Sequence, residues 1–430
     1  MISQFKEDFI LENGTLYDPV SDKKSKTSVL ISDGLIIKIG KISSNKEIKR
    51  IDCEGKFITP GFLDLHTHFR EPGREDKETL ETGSMAAMVG GFTRVCVMPN
   101  TNPPLDSPES IRFILEKSKD LCIQIYPIGA ITKGQKGKEI TEIGEMVSAG
   151  AVAISDDGLP VQNGQVMRYA VEYAKMFDIP VINHAEDICL RNDGIMNESA
   201  LSTRLGLIGN PVISESTMIY RDLEIAEFTN GKIHIPHVST GRSVEIIRKF
   251  KSKGVQVTAE VTPHHLGLTE DLMRSYDANA KVAPPLRTDW DRMMLIEGVL
   301  DGTIDCIATD HAPHTIEEKE MDIMHSPCGM IGLESAFGLV YTTLIDHGVS
   351  FEKIIKCLTI GPSLVLGLDF TPFSINKLAE ICIVDLESQW TFKKENILSR
   401  SKNSPMIGMN FTGRISGVIS GKNSIGINFD

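Results

Sequence analysis

Histidines and aspartates close five apolar, β-type runs of this sequence. GFLDLHTH ends in His66 and His68, AVAISDD in Asp156 and Asp157, IPVINH in His184, KIHIPH in His237, and IDCIATD in Asp310. His66 and His68 are two residues apart, so on a strand both point to one face and can chelate one ion. Alone, HxH is a short motif that also fits two satisfied histidines near a strand end. Together with His184, His237 and the aspartates it becomes a set of imidazoles and carboxylates, the nitrogen and oxygen donors that suit one or two divalent ions of the zinc class. One carboxylate has two oxygens and can bridge two such ions, and a hydroxide between them is a nucleophile at neutral pH. Residue chemistry does not separate Asp156 from Asp157 as that bridge. Asp310 has two uses, completing a metal's coordination and shuttling a proton from attacking water to a leaving group. Its structural alternative is a helix N-cap, but Ala-Pro-His follows and no apolar helical run begins there.

The remaining histidines read differently. His264 and His265 in VTPHHL follow the seventh β-type run and read as supporting or structural residues. His234 is three residues from His237, hence on the opposite face of a regular strand, where core or interface packing is expected. His325 and His347 belong to no constellation. His314 lies after Asp310, where a loop can reach over a pocket and touch substrate, and a capping role suits His311.

Converging these residues requires a scaffold. Between residues 61 and 360, the runs GFLDLHTH, FTRVCVM, CIQIYPI, AVAIS, IPVIN, KIHIPHV, VQVTAEV and IDCIATD alternate with helix-length segments. DSPESIRFILEKSKD carries Asp or Ser at an N-cap with Pro in the first turn, and SESTMIYRDLEIAEFTN has apolar residues three and four apart. Near-continuous apolar strands joined by helices imply a parallel sheet covered on both faces, and eight of them imply a closed barrel whose strand ends meet on one face. Both chain ends are instead β-rich: FILENG, SVLISDG, LIIKIG, RIDCEG and FITPG at the start, and LAEICIVDL, RISGVISGK and SIGINFD at the finish. The expected fold is therefore α/β, a TIM-like (β/α)8 barrel over 59–370 with a small β-sandwich domain formed by residues 1–58 and 371–430.

Composition narrows the function. The 430 residues are 41% hydrophobic and 24% charged, as in a globular protein with a large core. A net charge of −13 opposes nucleic acid or an anionic membrane as the main partner. MISQFKEDFILENG lacks the basic and apolar regions of a signal peptide and no run is long enough for a membrane span, so a cytoplasmic protein is expected. The eight cysteines (53, 96, 122, 189, 306, 328, 357 and 382) occur singly, without CxxC pairs, which argues against disulfides and thiolate zinc sites. The Lys-rich patches DKKSK at 22–26 and TKGQKGKE at 132–139 read as solvated loops.

DLHTHFREPG at 64–73, VMPNT at 97–101, SDDG at 155–158, NHAED at 183–187, VTPHHL at 261–266 and ATDHAPH at 308–314 resemble the amidohydrolase superfamily. Within it, essentially the whole chain resembles the long, class I bacterial dihydroorotases. Hydantoinases and allantoinases typically carry a carboxylated lysine on the fourth strand, where this chain has SDDG. The resemblance implies two Zn2+ per subunit, one on His66, His68 and Asp310, the second on His184 and His237, with Asp157 bridging. It implies that Asp310 is also the catalytic acid/base, and that His68, Arg70, Asn100, His314, Cys328 and Gly329 bind substrate, Arg70 as a guanidinium fork for a carboxylate. Two positions depart from the family: Ala283 replaces a substrate-contacting Asn, and Cys328 a common Phe whose contact is through backbone. The implied reaction is the reversible, zinc-dependent hydrolysis of dihydroorotate to N-carbamoyl-aspartate in pyrimidine biosynthesis, with a small-molecule substrate, a homodimer and association with aspartate transcarbamoylase as the implied partnerships. Alternatives are another cyclic amidohydrolase, hydantoinase- or allantoinase-like, and a catalytically inactive homologue that partners aspartate transcarbamoylase.

Overall fold

The computed structural model describes residues 2–5, 7–43 and 48–427. The eight runs expected as barrel strands all form strands: β1 (Phe62–Thr67), β2 (Phe92–Val97), β3 (Gln124–Pro127), β4 (Ile154–Ser155), β5 (Val181–Ile182), β6 (Ile233–Ile235), β7 (Val257–Val261) and β8 (Cys306–Ile307). β1 to β3 pair in parallel, as do β4 to β8. Parallel bridges between Gly129 and Ile154 and between Thr67 and His311 join the two arcs into a ring.

The crossovers are helical for local reasons. Ser107 caps the helix Pro108–Ser118 in a reciprocal pair with Ser110, and Pro108 stands in the first turn, where a missing N–H costs nothing. The helix Val212–Thr229 stops at Asn230, which adopts the left-handed conformation with φ 51°. Ile233 and Ile235 of β6 and Val257, Ala259 and Val261 of β7 pack outward with Leu223, Val244 and Ile247 of the helical layer. Ile235 is fully buried, and Ile235→Ala is expected to cost about 2–5 kcal/mol, read as a lowered thermal midpoint.

Both chain ends enter one seven-stranded sheet. Its order is Ser3–Gln4, Asn423–Ile425, Asn410–Ser420, Glu380–Thr391, Phe57–Pro60, Thr15–Asp18 and Lys23–Lys26. A four-stranded sheet (Leu35–Gly40, Ser28–Ser32, Phe9–Glu12, Lys49–Asp52) packs on it, and Phe9, Leu11, Val29 and Ile31 share a core with Ile58, Ile381, Ile383 and Ile419. Residues 428–430, the end of the run SIGINFD, lie outside the described residues. DKKSK is not a loop. Lys23–Lys26 is an exposed edge strand, where lysines discourage pairing with another chain. Among the described residues the eight cysteines are free, and no helix is long and apolar enough to cross a membrane.

Candidate metal centre

The C-terminal ends of the barrel strands bring the charged residues together. His66 is fully buried; its Nδ1 is 2.8 Å from Glu260 Oε1, while its Nε2 makes no hydrogen bond and faces Asp157 Oδ1 at 3.3 Å and Asp310 Oδ1 at 3.6 Å. His68 Nδ1 is 2.8 Å from Asn100 Oδ1, and its Nε2 lies 3.0 Å from Asp310 Oδ1 and 3.4 Å from Asp157 Oδ2. With Nδ1–H donated backward in both rings, both Nε2 lone pairs point into the site. His184 Nδ1 is 2.9 Å from His237 Nε2, and these atoms lie 3.6 and 3.4 Å from Asp157 Oδ1. Two donor triplets result, His66–His68–Asp157 and Asp157–His184–His237, with Asp157 common to both.

Asp156 goes elsewhere. Its carboxylate accepts from the Ile131 and Thr132 amides at 2.8 and 3.1 Å and from the Thr132 hydroxyl, tying β4 to the loop after β3. Backbone geometry aims the other groups: Arg70, His237 and Asp310 hold φ of 59°, 35° and 48°, a region non-glycine residues rarely occupy and one that recurs at functional sites. His234 is buried, as expected of a packing residue, but the reversal at His237 changes the face it presents. β6 ends at Ile235, so the alternation does not continue; with Ile233 and Ile235 packed outward, His234 turns the other way and bonds Thr258 Oγ1 at 2.8 Å and Glu260 Oε2 at 3.1 Å.

Charge sharpens the fit to a cation. Burial opposes ionisation of Asp157 and Asp310 and is the largest single influence on each, yet the facing imidazoles, His66 foremost, together outweigh it and hold both carboxyls well below their ordinary range. Burial likewise opposes protonation of His184, but Asp157 and Glu186 raise it to about 10. The carboxylates thus demand positive charge between the rings, and the orphaned His66 Nε2 lacks any other partner. That donor set fits a divalent ion of the zinc class.

The substrate-side residues are placed less uniformly. Arg70 is half-buried beside the pocket, its Nε 3.4 Å from the Pro313 carbonyl, and burial lowers it only to about 10, so it remains a cation. Asn100 Nδ2 makes a long 3.5 Å bond to the Asp157 carbonyl. His314 is engaged at both nitrogens: Lys77 Nζ lies 3.1 Å from Nδ1, and Nε2–H donates to the Cys328 carbonyl at 2.8 Å. Gly329 packs against this ring; a Cβ there would lie 3.0 Å from His314 Nε2. His265 is structural, bonded to Thr262 and Pro284, whereas buried His264 Nε2 has no partner.

The family description Dihydro-orotase-like matches residues 55–243. The chain is 42% identical to a dihydroorotase from Syntrophotalea carbinolica over 96% of its own length and 98% of that protein. It is 45% identical to a dihydroorotase from Pelotomaculum thermopropionicum over 93% of its length and 94% of the relative's. The chain belongs to the dihydroorotase family. Among solved structures, the L-hydantoinase (dihydropyrimidinase) from Arthrobacter aurescens superposes with a TM-score of 0.85 at 25% identity, covering 99% of this chain and 97% of that one. Dihydropyrimidinase from Brevibacillus agri gives 0.85 at 20% identity, covering 98% and 95%, a likeness of fold.

For a member of the dihydroorotase family, the sequence left unread the carboxylates that stand behind these histidines. Asp64 accepts from the His66 and Thr309 amides at 3.0 and 3.1 Å and pins β1 to β8; burial raises it to about 6. Glu186 lies 3.5 Å from His184 Nε2. Glu260 bonds His66 and His234; burial would raise it, but those bonds bring it down to about 2. Such partners fix tautomer and ring orientation, so Glu260→Gln is expected to weaken metal affinity about 10–100-fold in chelator competition while the barrel stays folded.

Proposed function

We propose that the protein hydrolyses the ring amide of dihydroorotate reversibly to N-carbamoyl-aspartate, running toward ring closure in pyrimidine synthesis. The observation that carries this reading is Asp157 shared between two donor triplets with Asp310 alongside, in a chain of the dihydroorotase family. His66, His68 and Asp310 would hold one zinc, His184 and His237 a second, and Asp157 both. Bound there, the pair supplies Lewis acidity and a water of lowered pKa.

The chain's own residues do the rest. Asp310 takes the attacking water's proton and passes it to the leaving ring nitrogen. Arg70 pairs with the substrate carboxylate, and Asn100 can exchange its long bond to the Asp157 carbonyl for the same group. His314 reaches substrate only by giving up the Cys328 carbonyl, so the 328–329 backbone and His314 respond to ligand together. Binding at the carboxylate, remote from the reacting carbonyl, orients the amide over Asp310.

The same reading assigns residues 59–370 to the catalytic barrel and 1–58 with 371–430 to the companion domain, supported by the mixed seven-stranded sheet. It places the protein in the cytoplasm, supported by the unpaired cysteines. A homodimer or association with aspartate transcarbamoylase is supported by apolar side chains left exposed on the outer helices and the turns beside them, among them Met176, Phe228 and Trp290. The test is a panel of cyclic amides offered to the zinc-loaded protein, with metal stoichiometry from the same sample. Dihydroorotate formation from carbamoyl-aspartate is expected. Turnover of hydantoin or allantoin without dihydroorotate would replace the substrate, and neither zinc nor turnover after reconstitution would favour an inactive partner protein.

A further inference from the structure

Between the strands Glu380–Thr391 and Asn410–Ser420 of the companion sheet, the chain leaves that sheet and runs along the barrel's active-site loops. The excursion is polar in sequence, SRSKNS over residues 399–404, yet Ser399, Ser401, Asn403 and Ser404 are all buried. Each is tied to the barrel or to its own turn. Ser399 Oγ donates to Glu78, Ser401 Oγ donates to the Lys77 carbonyl at 2.7 Å, and the Leu398 and Ser399 amides donate to Glu334 at 3.0 and 2.8 Å. Ile397 and Met406 anchor the two ends in an apolar cluster with Met330, Ile331 and Leu286.

Asn403 is the centre of this strap. Its Oδ1 accepts from the His314 amide at 3.1 Å, its Nδ2 donates to the Ala312 and Gly329 carbonyls at 3.1 Å each, and its own carbonyl accepts from the Ile331 amide at 3.0 Å. One side chain therefore joins the loop after β8, which carries Asp310 and His314, to the Cys328–Gly329 turn. Those two loops also meet through the Ala312 amide on the Met330 carbonyl, the His314 ring on the Cys328 carbonyl, the Gly332 amide on His311 Nδ1 at 3.2 Å and Lys319 Nζ on the Pro327 carbonyl at 2.8 Å.

We propose that Asn403, delivered by the C-terminal excursion, is a positioning residue that fixes the separation of the His314 and Gly329 loops and thereby sets substrate affinity. This rests on the dihydroorotate reading for its kinetic readout, but not for its structural one. The three groups its amide bonds are backbone, so this one side chain holds main chain of both loops at once.

The test compares Asn403→Ala with the near-isosteric Asn403→Asp in full-length, zinc-loaded protein. Aspartate keeps the volume and the acceptor for the His314 amide but cannot donate to the Ala312 and Gly329 carbonyls. Both variants are expected to raise KM at least 10-fold, with kcat changed less than threefold and zinc content unchanged. Amide hydrogen exchange over residues 312–316 and 329–331 should quicken in both, while β1 to β8 remain protected. Asn403→Asp matching the parent in KM and exchange would show that Asn403 only fills space, and would overturn the proposal. Should neither variant fold, exchange in the unaltered protein decides: protection of the His314 and Ile331 amides comparable to the barrel strands supports the strap, and fast exchange there overturns it. If the parent protein turns over no dihydroorotate, the functional reading fails while the exchange comparison still tests the strap.

Discussion

Asp310→Asn is expected to abolish most turnover while leaving the metal in place. The residue follows β8 in a left-handed backbone conformation, and the next carbonyl, that of His311, accepts from the His68 amide at 2.9 Å, so the main chain that carries the carboxylate is tied to the end of β1. Oδ1 lies 3.0 Å from His68 Nε2 and 3.6 Å from His66 Nε2, and the imidazoles keep the group ionised despite burial. An ionised carboxylate can accept a proton and give it up again; the amide of Asn, with nearly the same shape, cannot. Loss of a positioned acid/base lowers rate by about 10²–10⁴-fold. His66, His68, Asp157, His184 and His237 remain as donors, so metal content measured on the purified variant should match the parent. An Asn variant with a tenth or more of parental kcat would remove Asp310 from proton transfer, and a variant that loses its metal would make coordination its principal task.

The barrel was legible because its strands are short apolar runs set between amphipathic helices, a pattern that local burial alone dictates, and all eight runs form strands. The clustering of strand-end His and Asp residues was legible for the same reason: a closed barrel leaves those ends only one place to meet. What escaped depended on partners distant in sequence. Asp156 and Asp157 are chemically identical neighbours, and only the position of the Ile131 and Thr132 amides separates them. Glu260 did leave a trace in VTAEV. With Val257, Ala259 and Val261 facing the helices, an acidic residue between them must face the barrel interior, and a buried carboxylate there needs a cationic or hydrogen-bonding partner. The burial of His234 was legible but its face was not, because strand alternation does not carry past Ile235, where the strand has already stopped. The strap around Asn403 left no trace, since a Ser- and Lys-rich segment has the composition of a surface loop, and its burial is decided by backbone groups of loops some 70–90 residues earlier in the chain.

The SDD pair offers the sharpest separation of site from scaffold. Asp157 touches all four imidazoles: Oδ1 is 3.3 Å from His66 Nε2, 3.4 Å from His237 Nε2 and 3.6 Å from His184 Nδ1, and Oδ2 is 3.4 Å from His68 Nε2. Asp157→Asn exchanges one of those shared oxygens for a donor and removes the negative charge that both donor triplets use, so both metal positions weaken together. Metal content should fall by half or more, and turnover by at least about 10³-fold, the rate equivalent of losing several kcal/mol of metal-derived stabilisation. Asp156→Asn has the opposite expectation. Its carboxylate serves the Ile131 and Thr132 amides and the Thr132 hydroxyl, so the loss is of loop anchoring: a lowered thermal midpoint, with metal content kept. Elemental analysis and thermal unfolding of the two variants side by side decide the matter. Metal retained in Asp157→Asn and lost in Asp156→Asn would reverse the assignment, because the geometry gives the two adjacent carboxylates no shared partner through which one could substitute for the other.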